Sequence, residues 1–181
     1  MNRETFINFV EREQEALRGF LLALCCGRKD EADDLAQDAL VKAYLSCTSY
    51  QDKGKFRSWL FKIAYNTFLN HKASLKPTVS IDAVPVEALP QRGSGEGAFS
   101  DLYLALGTLP PKERSALTLF YLNGYSIKEI AAITDASEDA VKKQLSRGRE
   151  KLKEQLTIDN GYDKRYSNRG PFPRSDATFR R

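Results

Sequence analysis

The stretch Tyr125 Ser126 Ile127 Lys128 Glu129 Ile130 Ala131 Ala132 Ile133 Thr134 Asp135 Ala136 Ser137 Glu138 Asp139 Ala140 Val141 Lys142 Lys143 Gln144 Leu145 decides how the chain folds. Ser126 and Glu129 have the spacing of a capping box, in which each side chain satisfies a backbone N–H near the other, so a helix begins there. That helix must be short. Asp135 and Ala136 fall where two helices meet at a steep angle, and aspartate tolerates the left-handed backbone such a turn uses. Ala131 is small where the second helix presses on the first. Ser137 caps that second helix, with Glu138 and Asp139 in its first turn, where the helix dipole favours acids. Val141, Leu145 and Leu152 then recur on its inward side. The whole pattern is a helix-turn-helix.

The outward side of the second helix carries Lys142, Lys143, Gln144, Ser146, Arg147 and Arg149. Glutamine pairs with adenine and Arg or Lys with guanine in the major groove, while the remaining basic groups neutralise phosphates. Residues early on the outward face enter the groove first. Lys142, Gln144 and Arg147 are therefore placed nearest base edges, with Lys143 and Arg149 on phosphates. A basic solvated helix has a similar composition, and it is the conjunction of capping box, small residue, turn and second cap that favours DNA recognition.

Working back along the chain, Pro77, Pro85, Pro90, Gly93, Gly95 and Gly97 punctuate a stretch that separates this block from an earlier helical one. The expected architecture is all-α, with two small helical domains joined by a flexible linker. Residues 1–74 form the first domain, 75–97 the linker, 98–156 the helix-turn-helix domain and 157–181 a basic, disordered tail. Fully extended, the linker reaches about 80 Å and allows the domains to stand far apart. In the first domain, Phe6, Phe9, Val10, Leu17, Phe20, Leu21 and Leu24 recur at nearly helical spacing, predicting a helix from about Thr5 to Cys25. Asp30 or Asp33 caps the next helix, which continues to about Ser46. After the polar loop of residues 49–55, Phe56, Trp59, Leu60, Ile63 and Thr67 mark another helical face.

Net charge is only +4, but charge is segregated. The span Asp30 to Asp38 holds five acids (Asp30, Glu31, Asp33, Asp34 and Asp38) and no Lys or Arg, whereas the span Lys53 to Lys72 holds five basic residues (Lys53, Lys55, Arg57, Lys62 and Lys72) and no acid. Asp34, Asp38 and Val41 share one helical stripe with Gln37 beside it, while Leu35 and Ala39 face the core. Such a stripe suits a basic partner helix. Phe56, Trp59 and Ile63 have the spacing of a buried face, leaving Arg57, Phe61, Lys62, Tyr65 and Asn66 outward. A basic surface interleaved with aromatics holds single strands by phosphate neutralisation and stacking.

The chain contains no run approaching the ~20 apolar residues of a membrane span, and its polar start lacks the flanks of a signal peptide. A cytoplasmic protein with no membrane insertion of its own is expected. Cys25, Cys26 and Cys47 have no Cys-x-x-Cys spacing and His71 is the one histidine, so no disulfide framework, metal site or cofactor is expected. A cysteine nucleophile assisted by His71 is a remote alternative, since Cys25 and Cys26 end an apolar helix. No glycine loop for phosphates or paired-carboxylate motif supports another enzyme class.

Four motifs in order resemble one family, the bacterial RNA polymerase sigma factors of the extracytoplasmic-function (ECF) class, over about Thr5 to Leu156. Residues 30–44, from Asp30 to Tyr44, resemble its acidic polymerase-binding helix. Residues 55–66, from Lys55 to Asn66, resemble its promoter-melting helix. Leu109 Pro110 Pro111 Lys112 Glu113 Arg114 resembles the start of its second domain, which leads into the helix-turn-helix. The resemblance implies a non-enzymatic protein whose partners are core RNA polymerase, promoter DNA and an anti-sigma factor. It implies polymerase binding by Asp34, Gln37, Asp38 and Val41. Arg57, Lys62, Tyr65 and Asn66 would hold the melted minus-ten strand, with a flipped base captured in the loop before them. Lys142, Lys143, Gln144, Arg147 and Arg149 would read the minus-thirty-five element. The chain departs from the family at Lys143 and Gln144, where Ser and Arg are common, at Asp135, where Gly is frequent, and in its tail after Leu156. The competing functions are a helix-turn-helix regulator acting without core polymerase, usually as a dimer on paired half-sites, and a helical interaction protein that never touches DNA.

Overall fold

The computed structural model describes residues 1–51, 54–75 and 97–159, and every regular element among them is helical. The first domain comprises α1 (Arg3–Leu24), α2 (Lys29–Ser46) and α3 (Phe56–Ser74). Helix α1 starts at Arg3 rather than near Thr5, because the Asn2 side chain caps it by accepting from the Thr5 N–H at 2.7 Å. Its apolar stripe of Phe6, Leu17, Phe20, Leu21 and Leu24 is buried. It ends in two left-handed residues, Cys26 and Gly27 (φ 56° and 81°). Gly27 also lies beneath the Tyr103 ring, where a Cβ would come within 3.2 Å, so both backbone and space require glycine.

Neither Asp30 nor Asp33 caps α2. The helix begins at Lys29, before either residue, with Arg28 at the N-cap position and Asp30 and Glu31 inside the first turn. The dipole accepts carboxylates there equally well. Glu31 reaches back to Arg28 at 2.5 Å and across to Lys72 at 2.7 Å and His71 at 3.4 Å, tying the start of α2 to the end of α3. Burial alone would raise the Glu31 carboxyl, but hydrogen bonds from Arg28 and Lys72 outweigh it and hold the group below its ordinary value of 4.5. A depressed carboxylate contributes stability above its unfolded pKa and loses it as pH falls through the folded one. Glu31→Gln is therefore expected to destabilise the fold by about 1.5 kcal/mol at neutral pH. Urea unfolding at neutral and acid pH checks this, since the difference should close as pH drops below about 4.5.

Helix α3 buries Phe56, Leu60, Phe61, Ala64, Tyr65, Thr67 and Phe68. Phe56 stacks on Phe9 at 4.8 Å, and the half-buried Trp59 stacks on Tyr50 at 4.4 Å. Packing roles for Phe56, Trp59 and Ile63 agree with their spacing. The outward placement of Phe61 and Tyr65 is overturned, because both are buried, Phe61 between Phe20 and Tyr125. The helix has a second covered side.

That cover is the second domain, comprising α4 (Gly97–Gly107), α5 (Pro111–Leu117), a π-helical turn (Thr118–Leu122), α6 (Ile127–Thr134) and α7 (Glu138–Asp159). Pro111 occupies the first turn of α5, where its missing N–H is no loss. Gly148 lets α7 close on α5, since a Cβ there would meet Leu117 at 2.7 Å. Helix α7 continues past Leu156 to Asp159, and the rest of the expected tail lies outside the described residues. The two helical blocks are not held apart. Helix α3 packs on α6, and α1 packs on α4, α5 and the π-helical turn. Linker length limits how far domains can separate and says nothing against contact; most of that segment lies outside the described residues.

Candidate nucleic-acid and partner interfaces

The helix-turn-helix forms as its local chemistry dictates. Ser126 Oγ accepts from the Glu129 N–H at 3.3 Å while the Glu129 carboxylate accepts from the Ser126 N–H at 2.9 Å. The serine hydroxyl also donates to that carboxylate, and these bonds hold it below the usual glutamate range. Asp135 is left-handed (φ 51°, ψ 39°) at the end of α6. Ser137 Oγ accepts from the Ala140 N–H at 3.1 Å, starting α7, whose Val141, Leu145 and Leu152 point into the core. Lys142, Lys143, Ser146, Arg147 and Arg149 are exposed. Gln144 is half-buried rather than fully outward, at the margin between this basic face and the core. Arg149 is steered by the Leu145 carbonyl at 3.1 Å and the Tyr121 hydroxyl at 3.4 Å.

On α2, the stripe has the expected polarity. Asp34, Gln37 and Asp38 are exposed and Val41 is 57% exposed, while Leu35 and Ala39 are buried. Leu45, 73% exposed one turn beyond Val41, extends the apolar part of the stripe. A face mixing acids that are in no ion pair among the described residues with aliphatic groups is built for association with a basic, partly apolar surface.

On α3, Asn66 is exposed, Arg57 and Lys62 are half-buried and Tyr65 is buried. Each of the last three meets another element. Arg57 pairs with Glu13 at 2.9 Å and lies over the Tyr125 ring at 5.0 Å. Lys62 pairs with Asp135 at 2.5 Å. The Tyr65 hydroxyl shares a hydrogen bond with Ser115, although burial dominates and raises its pKa.

Cys25, Cys26 and Cys47 are buried and unbridged, and burial, helped by the charge of Glu31, pushes the Cys25 thiol up to about 12. No group of His, Cys, Asp and Glu among the described residues is arranged to hold a metal ion.

Comparison with known proteins decides among the remaining functions. Residues 9–78 match the family model for sigma-70 region 2 and residues 99–152 that for sigma-70 region 4. The ECF RNA polymerase sigma factor EcfG of Rhodopseudomonas palustris is 31% identical over 152 residues, covering 82% of this chain and 83% of that protein. The chain belongs to the ECF sigma factors of the sigma-70 family. SigW of Bacillus subtilis, another ECF sigma factor, is 32% identical over 145 residues, covering 72% of this chain and 78% of its own. Among solved structures, the sigma factor RpoE of Bartonella quintana, in complex with the anti-sigma factor NepR, superposes with a TM-score of 0.68 at 28% identity. That match covers 87% of this chain and 99% of that one. CnrH, in complex with the cytosolic domain of CnrY, gives a TM-score of 0.66 at 26% identity, covering 88% and 92%.

As a sigma factor, the protein binds core RNA polymerase and directs promoter recognition, DNA melting and transcription initiation. A regulator working without polymerase does not account for the region 2 match over α1, α2 and α3. The sequence pattern missed two residues that shape this sigma factor. Arg114 is buried, with four carbonyl partners, and Tyr125 is buried between α3 and the helix-turn-helix. Leu109 to Arg114 flags Arg114 only as part of a motif, and no spacing rule marks Tyr125.

Proposed function

We propose that the sigma factor divides its work by domain, with residues 1–74 binding core polymerase and opening the minus-ten element and residues 98–156 reading the minus-thirty-five element. Residues 75–97 connect them. The observation that supports this division is that an exposed acid-and-aliphatic stripe on α2 and an exposed basic face on α7 lie in different domains. Asp34, Gln37, Asp38 and Val41 dock on polymerase. Arg57, Lys62, Tyr65 and Asn66 hold the unpaired minus-ten strand through phosphate and stacking contacts. Lys142, Gln144 and Arg147 lie nearest base edges at the minus-thirty-five element, with Lys143 and Arg149 on phosphates. Gln144 reaches the groove from the edge of that face, consistent with its half-burial.

The protein is assigned no reaction of its own; nucleotide addition belongs to core polymerase. Its place is the cytoplasm, in keeping with that partner and with the lack, among the described residues, of a helix long and apolar enough to cross a membrane. An anti-sigma factor is included among its partners because a solved relative, RpoE of Bartonella quintana, is held in a complex with the anti-sigma factor NepR. Pull-down with core RNA polymerase followed by run-off transcription on genomic DNA tests the assignment. On a promoter found this way, neutralising Arg57 and Lys62 together should reduce open-complex formation about tenfold, equivalent to about 1.4 kcal/mol. The defect should shrink on a pre-melted template. Equal loss on both templates assigns these residues to packing or polymerase binding instead.

A further inference from the structure

The outward face of α7 is basic except at its leading end. Glu138 and Asp139 open the helix ahead of Lys142, Lys143, Arg147 and Arg149, and both acids are exposed. An acid there carries a cost, because the surface this face meets on duplex DNA is lined with phosphates. The start of the helix does not need two of them. Ser137 already caps it through the Ala140 N–H at 3.1 Å, and Glu138 already sets a negative charge at the positive end of the dipole.

Asp139 is placed for another task. Its side chain is 82% exposed, and its Oδ1 lies 3.3 Å from Nζ of Lys142, one turn further along the same side of the helix. Water screens such a pair, so it adds little to stability. What it has is a fixed polarity, an acceptor beside a donor. A C·G base pair shows the complementary order in the major groove, with the cytosine amino group as donor and guanine O6 and N7 as acceptors. Neither side chain is used up by the other, since an ammonium keeps further N–H donors and a carboxylate further lone pairs.

We propose that Asp139 determines specificity at the minus-thirty-five element: its carboxylate accepts from the amino group of a cytosine while Lys142 donates to the guanine paired with it. The proposal rests on the assignment of α7 to that element and adds a residue that selects by cost as well as by contact. Opposite guanine or thymine the carboxylate meets O6 or O4, another acceptor, and stays unpaired near the phosphates. Adenine offers an amino group beside the N7 acceptor, a pattern that an amide matches and a carboxylate does not.

Promoter preference of the holoenzyme, read on a library randomised only in the minus-thirty-five element, tests this. Wild type is expected to favour cytosine at one position by about tenfold, the scale of one mismatched base pair. Asp139→Ala should lose that preference at that position alone and bind the disfavoured sequences about twofold more tightly, because a charge that repels phosphates is gone. Asp139→Asn keeps the shape of the side chain and should move the preference there from cytosine to adenine, whose N6 and N7 an amide meets together. A role confined to starting α7 predicts weaker binding of every sequence with base preferences intact. That result overturns the proposal, as does an asparagine variant with wild-type preferences. Lys142→Ala should relax preference at the same base pair, and a change confined to a different pair overturns the shared contact. If neither Lys142→Ala nor Arg147→Ala alters any preference within the element, the assignment of α7 on which the proposal rests fails instead.

Discussion

Replacing Arg114 by leucine is expected to lower the unfolding free energy of the protein by about 3 to 5 kcal/mol, the scale of a broken buried polar network. Arg114 is 2% exposed, and its guanidinium donates to the carbonyls of Leu106, Gly107, Leu109 and Leu24 at 2.8, 3.2, 2.9 and 2.6 Å. Leu106 and Gly107 close α4, and Leu24 closes α1. Helix C-termini leave carbonyls without intrahelical donors, and they carry partial negative charge, so one cation satisfies two helix ends together. Burial disfavours the charged form of this arginine and lowers its pKa. The planar fork of donors offsets that cost by meeting several acceptors at once. Leucine removes the cation and strands the carbonyls, each costing about 1 kcal/mol or more when left buried and unpaired. Arg114→Lys should recover only part of the loss, because an ammonium cannot reproduce the fork. Chemical denaturation followed by circular dichroism checks the order wild type, lysine, leucine. A leucine variant within about 1 kcal/mol of wild type contradicts this account.

Arg114 also shows where a sequence stops being legible. The helix-turn-helix could be read in advance because its determinants are local: Ser126 with Glu129, Asp135 at the turn and Ser137 at the next cap all act within a few residues. The α2 stripe was legible for the same reason, as helical spacing alone separates Asp34, Asp38 and Val41 from Leu35 and Ala39. The partners of Arg114 are backbone carbonyls, which leave no mark in a sequence, and one of them lies 90 residues away. Phe61 and Tyr65 were misplaced because a periodic pattern identifies one buried face and cannot tell that another domain covers a second. Helix α4 carries no cap signature comparable with Ser126, and its place follows from packing on α1 and α7. The exchange of Asp30 or Asp33 for Arg28 at the start of α2 has a different origin. An acid at the cap and an acid in the first turn satisfy the same dipole, so the sequence alone does not choose between them.

The largest functional effect is expected at the α2 stripe, from Asp34→Lys combined with Asp38→Lys. Both carboxylates are exposed and neither is in an ion pair among the described residues, so their charge is available to a partner. The neighbouring Val41 and Leu45 give the same face an aliphatic patch to be desolvated on docking. Charges beside such a patch interact through a lower effective dielectric than isolated surface pairs do, and reversal replaces attraction with repulsion at both positions. A loss of about 2.7 kcal/mol, or roughly a hundredfold in affinity for core polymerase, is the expected scale. The fold should be nearly untouched, because exposed substitutions of this kind change stability by about 0.5 kcal/mol or less. Circular dichroism would confirm that. Salt provides an internal control: raising ionic strength should weaken wild-type binding and narrow its advantage over the variant, as expected when the lost contacts are electrostatic. Val41→Ala should instead weaken binding by a smaller amount that salt leaves unchanged, since it removes apolar contact and no charge. A competition titration against core polymerase at moderate salt distinguishes these outcomes. Equal affinities for the wild type and the double reversal would place the polymerase contact elsewhere on the first domain.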